Sequence, residues 1–229
     1  LLVGVGAYPE GGSITKLDGP ANDVNAMVGL LRTRFELDES AIVTLTDADA
    51  TRDAILASIE SHLGAANAGD TALFFFAGHG SWQVDENGDE ADLADETIVP
   101  FDGRSGLADK DITDDVLGSL FAKLGARGVR VVVFLDSCNS GTGLRSRLTK
   151  RYVASPSMRE RPAGVDDAPW GDILQFDQNP PVFIAASSSD GWAFESGETP
   201  ETTLGNFTRE LVAVLSGPEL TYREVVARV

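Results

Sequence analysis

Apolar positions recur along this chain with two patterns, one typical of strands and one typical of helices. Runs of consecutive apolar residues predict strands at 1–7, 41–46, 70–80, 129–136 and 180–189. Apolar residues at helical spacing predict helices at 24–35, 51–63, 112–124, 204–216 and 221–229. Strands that alternate with helices of this length imply an α/β fold, with a mostly parallel central sheet and helices on both faces.

Two segments interrupt this alternation. Residues 81–111 form an acidic insert between two predicted elements. Residues 142–179 are polar, and the basic side chains in them are Arg145, Arg147, Lys150, Arg151, Arg159 and Arg161. A long segment without apolar periodicity inside a compact domain is usually functional or disordered. We expect one domain over residues 1–229, interrupted by a basic, mobile linker at 142–179.

The composition narrows the classes of partner. The 229 residues carry a net charge of -18, which disfavours nucleic acid and anionic membranes and favours cations or basic peptides. No run of 18 apolar residues is present, so no membrane span is predicted. The single cysteine excludes an internal disulfide and fits a reducing compartment, so we expect a cytoplasmic protein.

Reactive side chains follow two of the predicted strands. The strand at 70–80 runs into His79, and the strand at 129–136 leads to Cys138. Ligands of open parallel sheets bind beyond the carboxyl ends of the strands. If the two strands are neighbours, the imidazole and the thiol can form a thiolate and then protonate a leaving amine. Taken singly, each residue has a plain structural interpretation, since an isolated cysteine is usually a small buried apolar side chain.

The two motifs together resemble a known family. The stretches "FFFAGHGS" and "FLDSCNSG" are similar to those of caspase-like cysteine peptidases, in particular the metacaspase and bacterial orthocaspase branch. Supporting segments follow in the family's order: "LVGVGAYP", "LDGPANDVNAMVGLL", "DENGDEADLADETIVPFD" and "ITDDVL". The resemblance implies a caspase-like fold, with a large-subunit-like part at 1–141 and a small-subunit-like part at 180–229.

The resemblance also implies roles for individual residues. His79 would be the general base and acid, Cys138 the nucleophile, and the backbone N–H groups of Gly80 and Cys138 the oxyanion donors. Metacaspases cut after arginine or lysine, and their pocket carboxylates correspond to Asp23 and Asp136. A carboxylate pair suits a guanidinium. From the residues alone, Asp23 could equally cap a helix, and Asp136 could accept a hydrogen bond at a strand end.

Calcium is a second expectation from the resemblance. Residues 85–115 contain twelve acidic side chains, and the family's calcium-binding aspartates correspond best to Asp95, Asp114 and Asp115. The count from Asp85 is similar to an EF-hand loop, but Glu90 stands where the loop needs glycine, so we reject a true EF-hand. Arg145 stands near another family ligand, which weakens the calcium interpretation. No cofactor is required for the chemistry itself.

Basic peptides or proteins are therefore the expected substrates, and the linker is one of them. The family often cuts its own linker to convert a zymogen, and the candidates here are Arg145, Arg147, Lys150 and Arg151. Two alternatives stay open: a non-catalytic caspase-fold scaffold module, and an aspartate-specific peptidase. The intact histidine–cysteine pair argues against the first, and the carboxylates in the pocket argue against the second.

Overall fold

The computed structural model describes residues 1–9, 14–84, 94–104, 110–138, 149–153, 180–186 and 193–229. Its strands are β1 (Leu2–Gly4), β2 (Thr44–Thr46), β3 (Thr71–Ala77), β4 (Gly80–Val84), β5 (Ala94–Ile98), β6 (Ile112–Thr113), β7 (Arg130–Asp136), β8 (Thr149–Lys150), β9 (Val182–Ala185), β10 (Phe194–Ser196) and β11 (Leu204–Gly205). Its α-helices are α1 (Pro20–Arg34), α2 (Arg52–Ser61), α3 (Asp114–Ala126), α4 (Asn206–Leu215) and α5 (Tyr222–Val226).

A five-stranded parallel sheet forms the centre of the fold, in the order β2-β1-β3-β7-β9. The two strands predicted from long apolar runs, β3 and β7, are adjacent and pair over their whole length, from Thr71 opposite Arg130 to Ala77 opposite Asp136. Buried on both faces, such strands read as continuous apolar sequence rather than as an alternating pattern.

Side chains alternate between two cores, one on each face of this sheet. Phe74 and Phe76 point into a core with α2 and α3, whereas Phe75 points into a core with α1, α4 and α5. On β7, Val131 and Val133 belong to the first of these cores and Val132 belongs to the second. The prediction of an α/β fold with helices on both faces is confirmed.

Two small antiparallel sheets lie outside the central one. One contains β4, β5 and β6, and the other has the order β11-β10-β8. The first corresponds to the insert at 81–111, which sequence analysis treated only as an acidic interruption. Among the described residues, no helix combines the length and the apolar character needed to cross a bilayer.

Helix α1 begins four residues earlier than its apolar spacing predicted. Pro20 occupies its first turn and Gly19 is the N-cap, so the helix includes the segment that carries Asp23. Proline is favourable in a first turn because its missing N–H would have no partner there. Asp23 therefore lies inside the first turn and does not act as the N-cap.

Candidate active site

His79 and Cys138 lie just beyond the ends of neighbouring strands. Ala77 of β3 pairs with Asp136 of β7, and this is the last pair of the two strands. His79 and Cys138 each come two residues after this pair. Gly78 donates a backbone hydrogen bond to Asp136, which extends the pairing past the strand end. Both reactive side chains are fully buried. The structure thus brings the two sequence motifs to one edge of the sheet.

The imidazole of His79 is held by the loop that follows β1. Its Nε2 lies 2.6 Å from the backbone oxygen of Thr15, and since that oxygen only accepts, Nε2 carries the proton. The ring of Tyr8 packs against the imidazole at a centroid distance of 5.6 Å. Nδ1 is buried and accepts no hydrogen bond within the described residues, so it is the nitrogen available as a base.

Burial keeps both reactive groups neutral in this state. It lowers the pKa of His79 to about 4, although the hydrogen bond to Thr15 opposes the shift. Burial also raises the pKa of the Cys138 thiol to about 11, against the hydrogen bond from the backbone of Ala193. The thiol itself donates to the backbone oxygen of Ala193 at 3.1 Å.

A short stretch of the chain, Thr149 to Val153, lies across these two residues as an extended strand. On one side Lys150 pairs with Phe194 and Thr149 with Glu195, both antiparallel. Arg151 continues this side by donating its N–H to Ala193 at 3.1 Å. On the other side Tyr152 forms a parallel bridge with Gly80. We call this stretch the docked segment.

The backbone oxygen of Arg151 occupies the position expected of a reacting carbonyl. It accepts hydrogen bonds from the N–H of Gly80 at 3.0 Å and from the N–H of Cys138 at 3.1 Å. These are the two donors that sequence analysis assigned to an oxyanion. Donors at this distance, fixed before the reaction, are the arrangement that stabilises a tetrahedral oxyanion.

The side chain of Arg151 is completely buried among three carboxylates. Its Nη2 contacts Asp23 Oδ2 at 2.5 Å and Glu195 Oε2 at 3.4 Å, while Nη1 lies 3.1 Å from Asp136 Oδ1. Nη1 also donates to the backbone oxygen of Asp136 at 3.2 Å. Both predicted pocket acids therefore contact one guanidinium, and Glu195 is a third acid that sequence analysis missed.

Backbone N–H groups hold the three carboxylates of this pocket. Asp23 accepts from Gly205 at 2.9 Å, and Glu195 accepts from Asp18 at 2.9 Å and Gly19 at 3.1 Å. Asp136 accepts from both the N–H and the hydroxyl of Thr208. These bonds orient the acids toward the cavity, because each leaves one face of its carboxylate for the guanidinium.

Two glycines let the backbone approach the guanidinium closely. A Cβ on Gly205 would lie 2.0 Å from Asp136 Oδ2 and 2.7 Å from Arg151 Nη1. A Cβ on Gly19 would lie 2.5 Å from Arg151 Nη2. No side chain fits at either position while the pocket keeps this shape.

Charge in the pocket is unequal, with three acids around one base. Burial lowers the pKa of Arg151, but the charges of Asp136, Asp23 and Glu195 outweigh it and hold that pKa above its ordinary value. Burial raises the pKa of Asp23 to about 7, against the opposing effect of the Arg151 guanidinium. The ionised form of Asp23 is therefore stabilised by a cation in the pocket.

The remaining predicted residues are distributed as follows. Of the self-cleavage candidates, Lys150 lies on β8 beside Arg151, while Arg145 and Arg147 fall outside the described residues.

Of the calcium candidates, Asp95 is on β5 and accepts a hydrogen bond from Gln83, and Asp114 and Asp115 lie in the first turn of α3. Among the described residues, no three His, Cys, Asp or Glu side chains are grouped as metal ligands. The acidic stretch 85–93 lies outside the described residues.

The chain is similar in sequence to known metacaspases. The family model described as "Metacaspase, peptidase C14 domain" matches residues 1–146. Metacaspase-2 of Arabidopsis thaliana is 37% identical over 134 residues, which is 56% of this chain and 31% of that protein. Metacaspase-1 of Mycosarcoma maydis is 32% identical over 165 residues, 70% of this chain and 39% of that protein. The chain thus spans less than two fifths of either relative.

A solved structure has the same fold over nearly the whole chain. Protein GSU0716 of Geobacter sulfurreducens superposes with a TM-score of 0.67 at 25% identity, covering 98% of this chain and 84% of that one. The matched sequence model extends through both His79 and Cys138, and the site contains both residues at adjoining strand ends. This chain belongs to the metacaspase family of C14 cysteine peptidases.

Proposed function

We propose that this chain is an arginine-specific cysteine endopeptidase whose first substrate is its own bond between Arg151 and Tyr152. One observation carries the proposal: the side chain and the carbonyl oxygen of Arg151 are both bound as a cleaved residue would be. The guanidinium contacts Asp23, Asp136 and Glu195, and the carbonyl oxygen accepts from Gly80 and Cys138. Either contact alone could be structural, whereas together they define a scissile bond.

The geometry supports a preference for arginine over lysine. The guanidinium uses two nitrogens, one on Asp136 and the other on Asp23 and Glu195. An ammonium is a single point charge on a flexible stem and cannot contact both sides in this way. Three buried carboxylates would repel an aspartate side chain, so the aspartate-specific alternative is disfavoured.

The proposed chemistry uses only groups of the site. His79 Nδ1 takes the thiol proton of Cys138, and the sulfur attacks the carbonyl carbon of Arg151. The N–H groups of Gly80 and Cys138 stabilise the oxyanion. When the intermediate collapses, the bond to Tyr152 breaks and the imidazolium protonates the departing amine. A water molecule, deprotonated by the imidazole, then hydrolyses the thioester and regenerates the thiol.

The intact chain is expected to act slowly and on itself alone. The thiol and the imidazole are both neutral in this state, with pKa values of about 11 and about 4, so forming the ion pair is unfavourable. The docked segment also fills the arginine pocket, whose walls and guanidinium are buried. Basic peptides or proteins can bind only after this segment leaves, which makes the intact chain a zymogen.

Mass spectrometry of the purified chain tests the proposal. We expect two fragments, 1–151 and 152–229, that accumulate during incubation, and no fragments in Cys138→Ala or His79→Ala. Arg151→Gln should abolish this cut, whereas Arg145→Gln and Arg147→Gln should not. Cleavage only at 145, 147 or 150, or a cut at 151 that persists in Cys138→Ala, would contradict the proposal.

Calcium dependence is a separate part of the proposal. Asp95, Asp114 and Asp115 lie in and next to the β4-β5-β6 sheet, since β6 ends at the residue before α3. Carboxylates of this kind are ordinary calcium ligands. Self-cleavage in calcium and in a chelator, compared for the wild type and Asp114→Asn, tests it. Equal rates in the two buffers would show that self-cleavage does not depend on calcium, and the proposed cysteine chemistry would stand.

A further inference from the structure

Gly80 contacts the docked segment on both sides of the Arg151–Tyr152 bond. Its N–H donates to the carbonyl oxygen of Arg151 at 3.0 Å, and its own carbonyl oxygen accepts from the N–H of Val153 at 3.0 Å. The two bonds make the parallel bridge between Gly80 and Tyr152. The first bond belongs to the oxyanion site described above, whereas the second lies on the side of the leaving group.

The position of Gly80 is fixed independently of the docked segment. Gly80 begins β4 and pairs with Ile98 of β5. The carbonyl oxygen of His79, one residue earlier, accepts from Val99 at 3.0 Å. Because a second sheet holds this backbone, the carbonyl oxygen of Gly80 is presented to any extended chain that enters the site.

We infer that Gly80 is a specificity-determining residue that selects peptides by the backbone N–H of the second residue after the cleaved bond. This inference rests on the proposed cleavage after Arg151. It assigns the substrate class as extended chains with at least two further backbone units after the arginine, the second of them not proline. Side-chain identity at these positions matters less, because the contact is between backbones.

The contact also has a physical role in the reaction. The departing nitrogen belongs to Tyr152, which lies between the two residues that Gly80 binds. A hydrogen bond on each side limits the rotation of this residue, so the orientation of its nitrogen in the site is fixed. Proton transfer to a leaving amine depends on such positioning.

A proline at position 153 removes the N–H from the intact chain. Proline restricts the residue before it to extended conformations, and Tyr152 is already paired in an extended bridge, so the backbone can accept the change. We expect Val153→Pro to slow self-cleavage after Arg151 about tenfold, the effect of one hydrogen bond worth about 1.4 kcal/mol. Val153→Ala keeps the N–H and is the matched control, with a rate close to that of the wild type.

Two synthetic peptides of nearly the same shape test the contact, because one has this N–H and the other lacks it. One is acetyl-Thr-Lys-Arg-Tyr with a C-terminal N-methylamide, and the other is the same peptide with a C-terminal methyl ester. At the position of the Val153 nitrogen the first has an N–H group and the second has an oxygen atom. The self-cleaved enzyme is expected to cut the N-methylamide with about tenfold higher kcat/KM. The common product, acetyl-Thr-Lys-Arg, is quantified by liquid chromatography.

The outcomes separate this inference from the proposal beneath it. Equal rates for the two peptides, together with equal rates for Val153→Pro and Val153→Ala, would overturn the role of Gly80 and leave cleavage after arginine intact. If neither the wild type nor Val153→Ala is cut after Arg151, the proposed function fails, and the inference fails with it.

Discussion

Asp136 contacts Arg151 twice, with its carboxylate 3.1 Å from Nη1 and its backbone oxygen accepting from the same nitrogen at 3.2 Å. Cys138 follows only two residues later, just beyond the end of the same strand. The last residue of β7 thus forms a wall of the arginine pocket, and the nucleophile comes directly after it. Only two peptide units separate the residue that binds the guanidinium from the residue that carries the thiol.

Removing the charge of Asp136 should impair recognition of arginine. We expect Asp136→Asn to lower kcat/KM for an arginyl peptide at least about 30-fold, because breaking a buried charge pair costs about 2–5 kcal/mol. Asp23→Asn should behave similarly, and Glu195→Gln less so, since Glu195 lies farther from Nη2. Glu198→Gln is the matched control on an exposed site. Wild-type kinetics in Asp136→Asn, with an unchanged melting temperature, would contradict the assignment of the pocket.

The shape of the pocket also predicts how a conservative change at position 151 behaves. Arg151→Lys should slow self-cleavage at least tenfold, because one ammonium cannot contact Asp136 and Asp23 through separate nitrogens. Lys150→Arg makes the reverse exchange one residue away, where the side chain is outside the pocket, and should leave the rate unchanged. Time courses of the intact mass measure both variants. Equal rates for Arg151→Lys and the wild type would show that charge alone is recognised.

Sequence was sufficient for the five strands of the central sheet and for the reactive pair. The apolar runs that end near His79 and Cys138 identified β3 and β7, and parallel pairing brought their ends together. The structure confirms the fold class and places Asp23 and Asp136 around one cation. The strands follow from a local apolar pattern, whereas the expectation for Asp23 and Asp136 came from the resemblance of their motifs to a known family.

Features that depend on long-range contacts were not predictable. Asp23 and Arg151 are 128 residues apart, and nothing local distinguishes Arg151 from the other linker arginines. Glu195 lies on a strand of three residues without a motif. The pairing of β4 with β5 was also missed, because buried acids such as Asp95 and Glu96 interrupt the apolar alternation that identifies strands.

The docked segment should protect the thiol from alkylation. Cys138 is the only cysteine of the chain and is fully buried, and burial raises its pKa to about 11. In His79→Ala, which cannot cut itself, we expect iodoacetamide to label the thiol slowly. Mass spectrometry measures the rate of labelling. Adding Arg151→Gln removes the guanidinium that anchors the segment and should speed labelling at least tenfold. Adding Lys150→Gln instead is the matched control, and equal rates in all three variants would argue against occlusion.

The excess of carboxylates predicts a stability effect that depends on pH. In a Cys138→Ala background, which stays uncut, Arg151→Met leaves three acids without a counter-charge, and breaking a buried pair in this way costs about 3–5 kcal/mol. Burial already raises the pKa of Asp23 to about 7, and loss of Arg151 removes an effect that lowers it. The parent already binds this proton as the pH falls through about 7, whereas the variant, whose Asp23 pKa is higher still, binds it above pH 7 as well. The variant therefore gains more stability than the parent as the pH falls from 8.

Urea unfolding at pH 8 and pH 5.5 measures this effect. We expect the loss of stability caused by Arg151→Met to be largest at pH 8 and clearly smaller at pH 5.5, where Asp23 is protonated. Comparing variant and parent at each pH reduces the contribution of His79, whose pKa is lowered mainly by burial and which destabilises both proteins in acid. Lys123→Met, on an exposed helix face, is the control and should show little effect at either pH. A difference independent of pH would mean that the loss of Arg151 leaves the pKa of Asp23 unchanged.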